Sequence, residues 1–306
     1  MTIHTLEPKQ GTVHGHFSVD LPPVLTILSG DTVRFKTLDA GFGLEPFSED
    51  GTRRRFEPNE LGHALCGPVA IEGAEPGKTL EVRVNHIRPG LWGYTRAGGF
   101  DHPVNRRLGL VDAATCLLNW TIDPERMMAT SQFGHRVALR PFMGLMGMPP
   151  AEVGKHPTHP PRFCGGNIDC KELIAGSSLF LPIAVAGGLF SVGDGHGVQG
   201  NGEVAVPALE CPMDEVDLTF IVHDEMRLSM PRAKTPTHWI SFGFHEDLNE
   251  ATMMALDGML DLMQEQFGYS RAEALALASL VVDLQVTQIV NGVKGVHAML
   301  AHGALR

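Results

Sequence analysis

The alternation of apolar and polar positions predicts short strands separated by turns over the first two-thirds of the chain. Residues 24–28 are an apolar, β-branched run behind Pro22-Pro23, closed by the turn signal Ser29-Gly30-Asp31. Residues 32–36 alternate, as a strand with one wet face does. Residues 79–84 alternate again, with Leu80, Val82 and Val84 on one face, behind the tight connection Gly73-Ala74-Glu75-Pro76-Gly77. Residues 216–222 read as a further strand. The stretch 144–166, rich in Gly, Pro and His, has little period and is expected to be an ordered loop or crossover.

The period changes towards the end. Over residues 249–267, Met253, Leu256, Leu260, Met263 and Phe267 recur at helical spacing as one apolar stripe. Gly268 stops that helix, because glycine accepts the left-handed conformation that ends helices. Ser270-Arg271-Ala272-Glu273 is a capping box, and Ala274, Leu277, Ala278 and Val281 continue a second helix. The pair is expected to cover one face of a sheet. The 35 glycines and 21 prolines exceed the usual combined share of about 12% and are spread along the chain, which favours β architecture with many turns.

Charge narrows the partners. With 24 Lys and Arg against 35 Asp and Glu, the net charge is −11, which repels phosphate backbones and anionic membrane surfaces. Neither a nucleic-acid nor a membrane partner is expected. The opening Met1-Thr2-Ile3-His4-Thr5 lacks a secretory pattern. The longest apolar run, 179–190, is too short to span a bilayer. Five scattered cysteines without a C-x-x-C pair point to free thiols in a reducing compartment, so a cytoplasmic chain is expected.

The sharpest candidate chemistry lies in Gly193-Asp194-Gly195-His196-Gly197-Val198-Gln199-Gly200-Asn201-Gly202-Glu203. In an extended segment residues two apart point to the same side, so Asp194 and His196 project together. With Asp169 or Glu203 brought in from elsewhere they make a mixed nitrogen and oxygen set suited to Zn²⁺ or a similar ion. Asp-Gly is also an ordinary hairpin turn, and that reading stands beside the first. Glu72, at the end of an apolar run, is either a general base or a solvent-facing turn residue. His63 is a ligand, a proton shuttle or a surface residue. Cys164 and the pair Ser177-Ser178 lack a neighbouring base that would make either a nucleophile.

These strings occur in an order that resembles the acetamidase/formamidase family. They are Pro23-Val24-Leu25-Thr26, Gly30-Asp31-Thr32-Val33, Gly67-Pro68-Val69, Glu72-Gly73-Ala74-Glu75-Pro76-Gly77, Gly165-Gly166-Asn167-Ile168-Asp169, Gly193-Asp194-Gly195-His196-Gly197, Gln199-Gly200-Asn201-Gly202-Glu203 and the segment 286–298. The resemblance implies a mainly β (α+β) fold. A sandwich-like part would occupy 1–140, a barrel-like middle with the metal site 141–235, and a C-terminal α/β region with helices packed on sheet 236–306. It implies a homo-oligomer that hydrolyses the C–N bond of a small linear amide with a divalent metal, zinc being the expected ion. Carried onto this sequence, Asp169, Asp194 and His196 would hold the metal, and Glu72, Glu203 and His63 would be the catalytic candidates. A non-catalytic small-molecule-binding protein with a structural metal is the alternative. The segment 98–120, Cys66 and Cys164 depart from the family pattern, where a substrate pocket could be lined.

Overall fold

A nine-stranded sheet forms one layer of the molecule. Its order is Ile3–Leu6, Thr32–Thr37, Met213–His223, Thr79–Pro89, Ser178–Pro182, Arg232–Lys234, His238–His245, Lys294–Ala301 and Val282–Gln288. Only its first pair is parallel. A second sheet runs Gly165–Asn167, Phe142–Gly147, Phe190–His196, Leu65–Ile71 and Val13–His14, with Leu25–Ile27 paired in parallel to Leu65–Ile71. A third, four-stranded sheet is Arg136–Ala138, Met128–Ser131, Cys116–Asp123 and Trp92–Ala97. The computed structural model describes residues 1–57 and 60–305. Strand exceeds helix by 39% to 12%, so the fold is mainly β, and among the described residues no sheet closes into a barrel.

The alternation in the sequence decides which side of each strand meets the core. Arg34 and Lys36 are exposed while Val33 and Phe35 are buried, and Leu80, Val82 and Val84 are buried together. The first two sheets pack face to face through these residues, Phe190 of one lying edge-on to Phe220 of the other at 5.0 Å between ring centres. The strands extend beyond their sequence signals where neighbours support them, as in Met213–His223. The expected loop over 144–166 is strand at both ends, in Phe142–Gly147 and Gly165–Asn167. Glycine has little strand preference of its own. Here it is required by close approach, since a Cβ on Gly147 would overlap Gly166 N.

The helices form where expected, over Leu248–Phe267 and Arg271–Val281, capped by Asp247 and Ser270, with Gly268 left-handed between them. The buried stripe of the first helix is only partly the expected one: Leu260 and Met263 are buried and Leu256 packs beside them, but the two ends of the expected stripe are not. Met253 is 59% and Phe267 40% exposed, whereas Ala251, Ala255, Met259 and Leu262 are buried. The small residues win because the helix backbone lies almost on the sheet. A Cβ on Gly243 would overlap Ala251 O, and Ser241 Oγ donates to Ala255 O at 2.6 Å. Gly243→Ala is therefore expected to lower stability by about 3 kcal/mol in denaturant unfolding. Met253→Ala, on the wet side, should change it by less than about 0.5 kcal/mol.

Two buried imidazoles link stability to pH. His14 Nδ1 donates to His16 O at 2.7 Å and Nε2 faces Ser191 Oγ at 3.0 Å, while His297 Nδ1 faces Thr287 Oγ1 at 2.7 Å. Burial pushes both down to about 4. The unfolded chain takes up these protons near pH 6.5 and the folded chain only near 4, so acid favours unfolding across that window. In thermal melts the parent should lose stability relative to His297→Gln as the pH falls from 6.5 towards 4, because the variant lacks that proton uptake on unfolding.

Candidate active site

The strand Phe190–His196 is buried along its whole length, between Phe142–Gly147 and Leu65–Ile71. Asp194 and His196 leave it on the same side, His196 Nε2 lying 3.4 Å from Asp194 Oδ1. Simple pleating does not achieve this, because Asp194 has φ 57°. Gly195, between them, leaves room for Met213, whose side chain a Cβ would meet at 2.7 Å. On the facing strand a Cβ at Gly144 would stand 2.6 Å from Asp169 Oδ1, 2.7 Å from Asp194 Oδ2 and 2.8 Å from His196 Cε1. Glycine at 144 is the opening into which three functional side chains point.

Asp169 is fixed by three hydrogen bonds. Its N–H donates to Gly144 O at 3.1 Å, its carbonyl accepts from Gln199 Nε2 at 2.7 Å, and its Oδ2 accepts from Asn291 Nδ2 at 2.6 Å. Glu203 sits in a loop that is tied to the C-terminal hairpin, with Gly202 N–H donating to Thr287 O and Ile289 N–H to Gly202 O. Glu210 pairs through its backbone with Tyr94, and its Oε1 lies 3.2 Å from His196 Nε2. Asp169 and Glu203 share the left-handed backbone of Asp194, with φ 53° and 47°. Non-glycine residues hold that conformation at a cost of about 1–3 kcal/mol each, and such strain concentrates at functional sites.

Electrostatics makes the cluster unusual. Burial, reinforced by Asp194, pushes Asp169 up to about 7, and burial pushes Glu210 up to about 8 against the pull of His196. Burial and then Asp169 also raise Glu203. Burial opposes the charge of Asp194, but His196 and His63 outweigh it and hold its carboxyl below the usual range. His196 is raised because Glu210 and Asp194 outweigh the effect of burial. The two sets Asp169–His196–Glu203 and Asp194–His196–Glu210 each bring three potential ligand atoms within 4.8 Å of one another. Asp169 Oδ1, Glu203 Oε2, Glu210 Oε2 and both ring nitrogens of His196 are buried without a well-formed hydrogen bond. A buried polar atom without a partner is costly, and a divalent cation would satisfy several of these at once. The donor set, imidazole with carboxylates, fits zinc or a similar divalent ion.

The cluster underlies a cavity of about 190 Å³ whose walls include His63, His159, Tyr94, Arg96, Asn167 and Asn291. His63 is half-buried, with Nδ1 2.8 Å from Thr158 Oγ1 and its ring 4.6 Å from that of His159. Burial pushes it down to about 4, so its ring is neutral at pH 7. Of the residues expected from the sequence, Asp169, Asp194, His196, Glu203 and His63 thus come together. Glu72 does not. It is exposed in the turn after Leu65–Ile71, where a carboxylate keeps its water, and it lines no part of this cavity. Glu210 occupies the place of a second buried carboxylate. Its signal was a lone acid inside the apolar run Ala208-Leu209-Glu210-Cys211. Cys66 and Cys164 are buried and pushed up to about 12 by that burial, which leaves them inert as nucleophiles.

Relatives share this arrangement of chain. A formamidase of Methylophilus methylotrophus is 26% identical over 246 residues, 64% of this chain and 60% of that one. An acetamidase of Mycolicibacterium smegmatis is 26% identical over 264 residues, 66% of this chain and 64% of that one. The match thus spans less than two-thirds of the length of these curated relatives. The crystal structure of an acetamidase from Bacillus halodurans superposes with a TM-score of 0.83 at 27% identity, over 97% of each chain. The pattern that defines the acetamidase/formamidase family matches residues 3–156 and 152–300, and this chain belongs to that family.

Proposed function

We propose that this protein hydrolyses the C–N bond of a small linear amide, giving a carboxylate and ammonia, with a divalent cation, zinc by the donor chemistry, held at His196. The observation that carries this reading is the convergence of one imidazole and four carboxylates, several of their atoms unpartnered, beneath a cavity of about 190 Å³. His196, Asp194 and Glu210, whose ligand atoms lie within 4.8 Å of one another, would hold the ion, with Asp169 adding an oxygen. When bound it supplies Lewis acidity, which brings the pKa of water towards neutrality and polarises an amide carbonyl.

The chain's own groups supply the rest. Glu203 Oε2 has no protein partner and accepts the proton of the attacking water. The same oxygen returns that proton to the nitrogen, which must leave as ammonia because an amide anion is a very poor leaving group. Asn291 holds Asp169 Oδ2 and leaves Oδ1 free to face the opening at Gly144. His63, neutral at pH 7 and fixed by Thr158, stands on the cavity wall, where its second ring nitrogen can hydrogen-bond the amide. The cluster's side chains are themselves buried, and low polarity around them strengthens each of these contacts.

Purified protein should release ammonia from at least one amide in a panel and contain a divalent metal by elemental analysis. Chelation should abolish turnover and zinc should restore it, and His196→Ala should lose metal and turnover together. Glu203→Gln should keep most of the metal and lose roughly 10²–10⁴ in kcat. Full activity after chelation, or in Glu203→Gln, would remove the proposal. Gly144→Ala places a methyl group against Asp169, Asp194 and His196. It should abolish activity and lower metal content while the circular dichroism spectrum stays that of the parent.

A further inference from the structure

The acidic cavity adjoins a hollow of about 370 Å³ with the opposite electrostatic character. Three guanidiniums, Arg53, Arg55 and Arg96, line it with Phe47, Tyr94 and Gly41, and no carboxylate lies among its lining residues. The two spaces share Gly41, Tyr94 and Arg96, so Arg96 stands where one passes into the other.

Two of the three arginines are already engaged. Arg53 makes a buried ion pair with Asp39 at 2.6 Å and lies over the rings of Phe47 and Tyr94, at 4.2 and 4.9 Å from their centres. Arg55 Nε donates to Gly41 O at 2.9 Å, fixing the cavity wall. Arg96 is different. It is exposed on the strand Trp92–Ala97, and its guanidinium sits 5.3 Å from the Phe100 ring. Among the described residues it has no ion pair and no side-chain hydrogen bond. Glu49 and Asp50 share an outer recess with it without reaching ion-pair distance, and Asp50 is occupied by Ser48 and Thr52.

Formamide and acetamide offer nothing to a cation at this position. An anionic group would be repelled by the carboxylates of the floor unless a fixed positive charge stood between. Guanidinium is the side chain suited to that task, since its planar fork matches a carboxylate with two parallel hydrogen bonds. We infer that the preferred substrate is a short aliphatic amide bearing a carboxylate at its far end, which pairs with Arg96 while the amide lies over the His196 floor. The inference rests on the amidase reading and names the substrate class for it. Water adds to the amide carbon, the C–N bond breaks, the nitrogen leaves as ammonia, and the product is a dicarboxylate.

The test compares kcat/KM for ammonia release from malonamate, succinamate and glutaramate with that from acetamide and butanamide, in which a methyl group replaces the carboxylate of succinamate. The parent protein is set against Arg96→Gln and Arg96→Lys, each checked for parental circular dichroism. At least one carboxylated amide should exceed butanamide by roughly tenfold or more, mainly through KM. Arg96→Gln should bring that ratio close to one, and Arg96→Lys should keep part of it. Neutral amides preferred by the parent, or a ratio that survives Arg96→Gln, would overturn the inference and leave amide hydrolysis standing. No ammonia from any of these amides would overturn the amidase reading, and the inference with it.

Discussion

Mutual repulsion among Asp169, Asp194, Glu203 and Glu210 around a single imidazole is the constraint to which the rest of the structure answers. Left alone, such a group would spread apart or draw in water. Here each member is buried and held by backbone that cannot relax, with three of the four carboxylates on or beside left-handed turns. The carboxyls of Asp169 and Glu210 answer by holding protons more tightly than free acids do. The cost is met by the sandwich beneath, whose apolar contacts, Phe190 on Phe220 among them, do not depend on the site at all.

Parts of this were legible in the residue order. The glycines around Asp194 and His196 marked a segment that folds closely around something, and the two side chains do converge. The reason differs from simple strand alternation, because Asp194 is left-handed rather than extended. Strands with a wet face were legible for the same reason that their alternation exists. The strand Phe142–Gly147 was not, since all six of its residues are buried and its glycines answer to neighbours far away in the chain. The small-residue face of the first helix was equally hidden, because apolar size in sequence does not reveal how closely a backbone may approach.

Glu72 and Glu210 show the limit most clearly. Each is an acid beside apolar residues, and local pattern ranks them alike. One ends a strand in the open and keeps its water, while the other is carried inward by pairing with Tyr94 and meets His196. That difference is set by which strand lies alongside, a fact of topology. Arg96 follows the same rule. Its strand places Tyr94 against Glu210 two residues earlier, so the register that delivers the carboxylate also sets the guanidinium at the rim.

The hydrogen bond from Asn291 to Asp169 joins positions 122 residues apart, and the loop carrying Glu203 is clasped by the same hairpin. Contacts so distant along the chain close late, after the loop entropy between them has been overcome. The acidic cluster around His196 is thus completed only when the final hairpin docks. Damage to that hairpin would dismantle the cluster while every carboxylate remained chemically intact.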